Sequence, residues 1–381
     1  MFIRPGSLSE LGGVGDFQFL KSGSDEPCIQ PIESSQLAMA FKPVSITGTR
    51  RQTGQALGKL ARPLMATYLE QSTVWAALRP WRGHAYLEAL AHEASQALPE
   101  IWDELEGLAE GLRMPLVDIL LWNCRGDLLH KTSDGCTSIA WRGDEDTRWI
   151  AHNEDGDPFL YGRCHMVDVR PDDAPGYISF YYPGSLPGHT FAANRAGLVQ
   201  TINNVRIRQR HAGVPRMLLA RAVLDCATLD DALAVLRDHP RAGGFHHTLG
   251  AAGEPRLYSV EASPAACSIG EVARGNGHAN HLVHPGSEAI GQIVTDSSRS
   301  RQRHIENLMD HWQPPVDGAR LVATLLDREG ELPILRCSAD DPDEENTLAT
   351  ALFEMRDGGL TLQVHDRRDQ PALRVTVCPA A

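Results

Sequence analysis

The sequence predicts an α+β protein, a helical N-terminal part followed by a strand-rich body. Two observations carry that reading. Between Gln55 and Leu129 apolar residues recur at three- and four-residue steps (Leu87, Leu90, Ala94, Leu98, Ile101, Leu105, Leu108), the spacing of one helix face. After Cys136 the texture changes to short β-type runs separated by turns, with helices returning between them. Two sheets flanked by helices bury such a pattern, so a sandwich is the expected architecture.

Taken in order, residues 1–43 carry Gly, Ser and Pro without periodicity and read as an N-terminal extension. A short strand is expected at 44–49. Helices then dominate, with Pro99 marking a break or a fresh helix start and a further helix over 115–128. Strands are expected at 136–142, 148–152, 165–170, 177–182, 197–203, 247–251, 256–262, 266–272 and 279–283. Helices are expected at 215–225 and 229–238, the second opened by Thr228 with Asp231 three residues on, a capping pattern. Two more cover 298–312 and 318–328, and strands close the chain at 348–355, 360–365 and 373–378. Asp340 to Glu345 reads as an acidic loop on a solvated face. There is no internal repeat. The domain reading is an extension (1–43), a helical segment (44–135) and a strand-rich body (136–381).

The 381 residues carry a formal net charge of −13, which argues against nucleic acid and anionic membrane surfaces. Eight scattered cysteines form no CxxC pair, unlike a disulfide framework or a structural zinc site. Met1 to Leu20 lacks the charged head and apolar run of a signal peptide, and no stretch approaches the ~20 apolar residues of a membrane span. The expectation is a soluble cytoplasmic protein without cofactor.

Chemistry concentrates at Asp134-Gly135-Cys136-Thr137-Ser138-Ile139, where a Gly-Cys-Thr step opens a strand. Gly135 offers an unhindered carbonyl and Cys136 the thiol that attacks it. An N-to-S acyl shift followed by hydrolysis would free the Cys136 α-amino group, which titrates at about 7.7–8.0 and can serve as base toward its own thiol. Read alone, a cysteine at a strand start is more often a small buried hydrophobe.

The pentapeptide 134–138 resembles the processing site of the acyl-CoA:6-aminopenicillanic acid (isopenicillin N) acyltransferase family, a branch of the Ntn hydrolases. So do Ile46-Thr47-Gly48-Thr49, Gly107-Leu108-Ala109-Glu110-Gly111 with Asp118-Ile119-Leu120, and Asn123-Cys124-Arg125 upstream. Downstream, His152-Asn153-Glu154-Asp155, Asn194-Arg195-Ala196-Gly197-Leu198 leading to Asn203, His278-Ala279-Asn280-His281 and Ser300-Arg301-Gln302-Arg303 follow in the family's order. The resemblance covers about 44–365.

It implies a four-layer αββα sandwich, cut between Gly135 and Cys136 into an α and a β chain that stay together. Cys136 would be both the autoprocessing and the catalytic nucleophile. Asn280 would donate to the oxyanion, Asp155 would hold the new amine, and Ser138 would support processing. Asn203 would line the pocket, as would His152, which stands sixteen residues after the nucleophile where related enzymes often carry arginine. Family members act on penicillin side chains and on β-alanyl amines. The implied substrate is thus a small N-acyl or aminoacyl amide, or an acyl thioester, with hydrolysis favoured over transfer. The family's arginine near the C-terminal strand is replaced by Asn346-Thr347-Leu348-Ala349.

Two further features stand apart from that pattern. The aromatic run Phe180-Tyr181-Tyr182 ends in a Pro-Gly loop, and Tyr182 is a candidate substrate contact. His246, His247, His278, His281, His304 and His311 would have to serve a metallohydrolase, but no HExxH motif is present and no metal is expected. An uncut, non-catalytic binding protein of the same fold is the other alternative.

Overall fold

The computed structural model describes residues 41–130, 132, 134–144, 146–337, 343–367 and 371–378. Residues 1–40 of the extension and 340–342 of the acidic loop therefore lie outside the described residues. The chain begins with β1 (Val44–Gly48) and α1 (Arg50–Gln71), and a capping box between Thr49 and Gln52 starts the helix. There follow α2 (Thr73–Leu78), α3 (Ala85–Ala97), α4 (Pro99–Leu112), α5 (Leu116–Asn123) and α6 (Arg125–Leu128). Pro99 opens α4 at the position where its missing N–H costs nothing. The expected stripe faces inward, with Leu87, Leu90, Ala94, Ile101, Leu105 and Leu108 buried.

Helices α1 and α4 approach more closely than side chains allow. A Cβ on Gly54 would lie 2.1 Å from the Glu104 carbonyl oxygen, and one on Gly107 would lie 2.2 Å from that of Arg51. Glycine is required there to let the two backbones touch.

The body contributes β2 (Asp134–Arg142), β3 (Arg148–Gly156), β4 (His165–Pro171), β5 (Tyr177–Tyr181), β6 (Phe191–Asn194) and β7 (Leu198–Ile207). Next come α7 (Arg216–Val223), α8 (Leu229–Asp238), β8 (Gly244–Ala251), β9 (Glu254–Ala262), β10 (Cys267–Glu271), β11 (Gly275–His278) and β12 (Gln292–Ile293). The chain closes with α9 (Asp296–Asp310), α10 (Gly318–Leu325), β13 (Asn346–Arg356), β14 (Gly359–His365) and β15 (Leu373–Cys378). One sheet runs β1-β4-β5-β6-β7-β8-β9-β10, with β12 added beside β7; the other runs β11-β2-β3-β13-β14-β15. Only the β1–β4 pairing among these core ladders is parallel.

The sheets meet through β2 and β7. Helices α1 and α8 pack on the first sheet, α9 and α10 on the second. The α+β expectation is met. Three details differ. The expected strand at 279–283 is instead β11 at Gly275–His278, because Ala279 and Asn280 bond through their backbone N–H groups to the Gln302 and Ser298 side chains of α9. Strand β3 continues past 152 to Gly156, since its polar residues are buried between β2 and β13. Glu345 is not on a solvated face: it is 1% exposed and ion-paired with Arg336 and Arg206.

Among the described residues no helix is long and apolar enough to cross a membrane.

Candidate active site

The β2–β3 register builds the site. Cys136 stands opposite Glu154 and Ser138 opposite His152, so alternation along each strand puts all four on one sheet face. Strand β7 of the other sheet supplies Thr201 and Asn203 to the same layer. Ser138 Oγ lies 2.9 Å from His152 Nδ1 and 3.2 Å from Thr201 Oγ1, and it donates to Asn203 Oδ1 at 2.7 Å. His152 Nε2 lies 3.0 Å from Glu154 Oε2, and Cys136 Sγ donates to the same oxygen at 3.9 Å. All of these side chains are buried.

Asn280 reaches Cys136 from the loop after β11. The Cys136 N–H, which is the amide of the Gly135–Cys136 bond, donates to Asn280 Oδ1 at 3.0 Å. Asn280 Nδ2 donates to the Asn204 carbonyl at 3.1 Å, so in this state the amide offers the junction its oxygen. Arg301 of α9 fixes that orientation. Its Nη2 donates to Asn280 Oδ1 (2.7 Å), and its Nη1 to the Cys136 carbonyl (2.6 Å) and Thr137 Oγ1 (2.7 Å). The sequence motif around Arg301 is legible as a helix but not as a contact to Cys136. Its place four residues before Ile305 on the buried face of α9 is the signal that a charge is being turned inward.

Asp155 pairs in register with Gly135 and accepts from Thr347 Oγ1 at 2.6 Å. Gly135 has a packing reason beyond an open carbonyl: a Cβ there would lie 1.9 Å from Glu345 Oε2. Arg336 bonds to Thr347 by backbone and ion-pairs with Glu345, so a cation stands beside the C-terminal strand after all, delivered from 336 rather than from 346–349. Arg206 Nη2 bridges Glu345 Oε1 (3.0 Å) and the Thr132 carbonyl (3.2 Å). Burial raises Glu345 to about 7, against the pull of both arginines. Tyr182 sits slightly apart, its hydroxyl 3.5 Å from the Asp155 carbonyl, in a pocket lined by Tyr68, Trp122, Arg125, Thr132 and Asp157.

Burial pushes the Cys136 thiol well above its ordinary pKa, and any negative charge on Glu154 or Asp155 adds to this; a hydrogen bond from the Asn204 backbone opposes it. Such a thiol does not ionise unaided near neutrality, so the site needs a proton acceptor.

The other histidines are committed elsewhere. His246 and His278 stack with ring centroids 3.5 Å apart, and their nitrogens face Asn203, Ser259, Glu261 and the Ala279 carbonyl. Among the described residues, one group brings three metal-capable side chains together, namely Cys136, His152 and Glu154, with ligand atoms within 4.8 Å of one another. A hydrogen bond already closes its His152–Glu154 edge, and we read the trio as a proton relay.

Burial also holds His152 at about 3, His247 at about 3 and His281 at about 4. Their unfolded values lie near 6.5, so below that pH the unfolded chain binds protons that the folded chain refuses. Each histidine then removes about 1.4 kcal/mol of stability per pH unit until its folded pKa is reached. Glu345, raised in the fold, works in the opposite sense between its ordinary 4.5 and about 7. His165, His246 and His284 are lowered by burial in the same sense, while Asp127, raised to about 6, joins Glu345. Six histidines against two carboxyls, urea unfolding midpoints should fall from pH 6.5 to 4.5; a flat profile would contradict neutral buried imidazoles.

A family model described as acyl-coenzyme A:6-aminopenicillanic acid acyl-transferase matches residues 141–369. The chain belongs to that family. The match starts just beyond the junction, within β2, and runs through β14. The chain is also similar to a beta-alanyl-dopamine/carcinine hydrolase of Drosophila melanogaster, 25% identical over 332 residues, covering 78% of this chain and 82% of the relative. A second relative is the 40 kDa form of acyl-coenzyme A:6-aminopenicillanic-acid-acyltransferase from Emericella nidulans, 24% identical over 329 residues, covering 82% and 89% respectively. Each of the two alignments covers most of both proteins.

Proposed function

We propose that this acyl-transferase family member cuts itself between Gly135 and Cys136, and that the freed Cys136 then turns over small amides through a thioester. Its reaction class is amide-bond hydrolysis or N-acyl transfer, as in the relatives named above. The observation that carries the reading is the convergence on one peptide bond. Asn280 takes its N–H, Arg301 holds the next carbonyl, and Glu154 faces the thiol. The helix–sheet–sheet–helix packing supports the Ntn type of sandwich. In that scheme the α-amino group of Cys136 becomes the base toward its own thiol, Asp155 orients it, and Asn280 turns a donor toward the oxyanion.

Substrate reads as a small N-acyl or aminoacyl amide, with water as the favoured acceptor. The names of both relatives support this, while the pocket beside Tyr182 is a small cleft. One of its walls, Thr132, belongs to the segment that cleavage would release. The α and β chains would remain associated through the β1–β4 pairing and the α1–α4 layer packed on it.

The test is the intact mass of the purified chain beside a Cys136→Ala control. Two fragments, the second beginning at Cys136 and absent from the control, are expected. A single uncut chain with an unreactive thiol would refute the proposal.

A further inference from the structure

The hydrogen-bond directions around Ser138 can be fixed from one end. Asn203 Nδ2 donates to the His278 carbonyl (3.1 Å), which only accepts, so Asn203 Oδ1 faces Ser138 and His246. Ser138 has one hydroxyl proton and spends it on Asn203. His152 Nδ1, 2.9 Å from Ser138 Oγ, must then be the protonated nitrogen. In a neutral imidazole Nε2 is left bare, and burial keeps this ring neutral by holding its pKa at about 3. The bare nitrogen faces Glu154 Oε2 at 3.0 Å, so the proton between them rides on the carboxyl. A lone pair of the same oxygen faces the Cys136 thiol.

We propose that Glu154, backed by His152, carries the thiol proton during the chain's own cleavage, before any α-amino group exists to do so. This rests on reading Gly135–Cys136 as a self-cleaving bond. The thiol proton passes to Glu154 Oε2 as the carboxyl's own proton moves to His152 Nε2. Sγ bonds to the Gly135 carbonyl carbon, and the carbonyl electron pair moves onto oxygen. Collapse breaks the C–N bond, and the Cys136 nitrogen takes its proton back from the pair. Water then splits the thioester, giving the Gly135 carboxylate and restoring the thiol. The charged or titratable neighbours are Cys164 ahead of β4, His246 of β8, Asp155 on the same strand, Arg301 of α9 and Glu345 before β13.

Glu154→Gln keeps the shape and, with its amide nitrogen in the place of Oε2, a donor toward Nε2, but it offers the thiol no acceptor there and cannot take its proton. Self-cleavage of the full chain, followed by intact mass, should slow by at least about 100-fold. Thermal unfolding should match that of Cys136→Ala. The wild-type rate should be flat between about pH 6 and 9, whereas the variant's should rise about tenfold per unit, because it waits for free thiolate. Glu154→Asp, which keeps the proton, should cleave faster than Glu154→Gln and stay flat with pH. If Glu154→Gln does not fold, the flat profile of Glu154→Asp decides.

A folded Glu154→Gln that cleaves within a few-fold of wild type, with the same pH profile, would overturn the assignment alone. Wild-type cleavage that stops with EDTA and returns with zinc would do so too, by making the trio a metal site. A wild-type chain that never cleaves would overturn the function reading and this one with it.

Discussion

Arg301→Met slows self-cleavage by about 10²–10³-fold, the loss seen when one preorganised donor is taken from a transition-state site. The argument is geometric. One buried guanidinium holds the Cys136 carbonyl, Thr137 Oγ1 and Asn280 Oδ1 at 2.6–2.7 Å. Without it, the Asn280 oxygen is tied to the side of the Cys136 N–H only through the Nδ2 bond to the Asn204 carbonyl, and the junction amide loses the rigid half of its partner. Arg301→Lys should recover little, because one ammonium cannot span three acceptors in the fork's geometry. Arg301 is thus a positioning residue for Asn280. A time course of intact mass, with thermal unfolding compared against Cys136→Ala, checks this. A folded Arg301→Met chain cut at the wild-type rate would refute it.

The second large effect concerns stability. Arg221→Met should lower the unfolding free energy by about 3 kcal/mol, the cost of leaving the buried Glu104 carboxylate with Arg50 at 3.8 Å in place of its close fork partner. Arg221 of α7 and Glu104 of α4 are both fully buried and meet at 2.7 Å. Around them Tyr177 donates to Glu104 at 3.4 Å, and Asp225 accepts from Arg221 at 2.8 Å. The double variant Arg221→Met/Glu104→Leu should regain most of the loss, because removing both charges removes the unpaired one. Urea unfolding of the single and double variants measures it. Equal losses in both would show that packing, not charge, dominates at this point.

Much of this was legible in the chain. The apolar stripe through α3 and α4 and the alternation after Cys136 marked out the helical segment and the strand carrying Cys136. Glu154 could have been reached as well. Trp141 and Trp149 flank a short turn and pair across it, and counting back from them sets Cys136 opposite Glu154. What stayed hidden was tertiary. The acidic residues before β13 look solvated, because the arginines that draw Glu345 inward come from 206 and 336. Strand β11 is built on Gly275 and Gly277, residues that weaken strands in isolation. They serve here because Trp141, Ile305 and Met309 fill the space that side chains would take. The histidine-rich stretches suggested metal from composition alone, while their nitrogens answer Asn, Ser and Glu partners that only folding assembles.

Gly135 lies beneath Glu345, and the amide after it is gripped by Asn280 and Arg301. Every part of that grip is encoded long after the bond it acts on. A ribosome that has delivered the first 270 residues has made the junction but none of these three groups. On the proposed self-cleavage, the bond becomes breakable only when nearly the whole polypeptide has emerged and docked. Scission would then mark completion, and a truncated or misassembled product would keep its Cys136 α-amino group locked in a peptide bond.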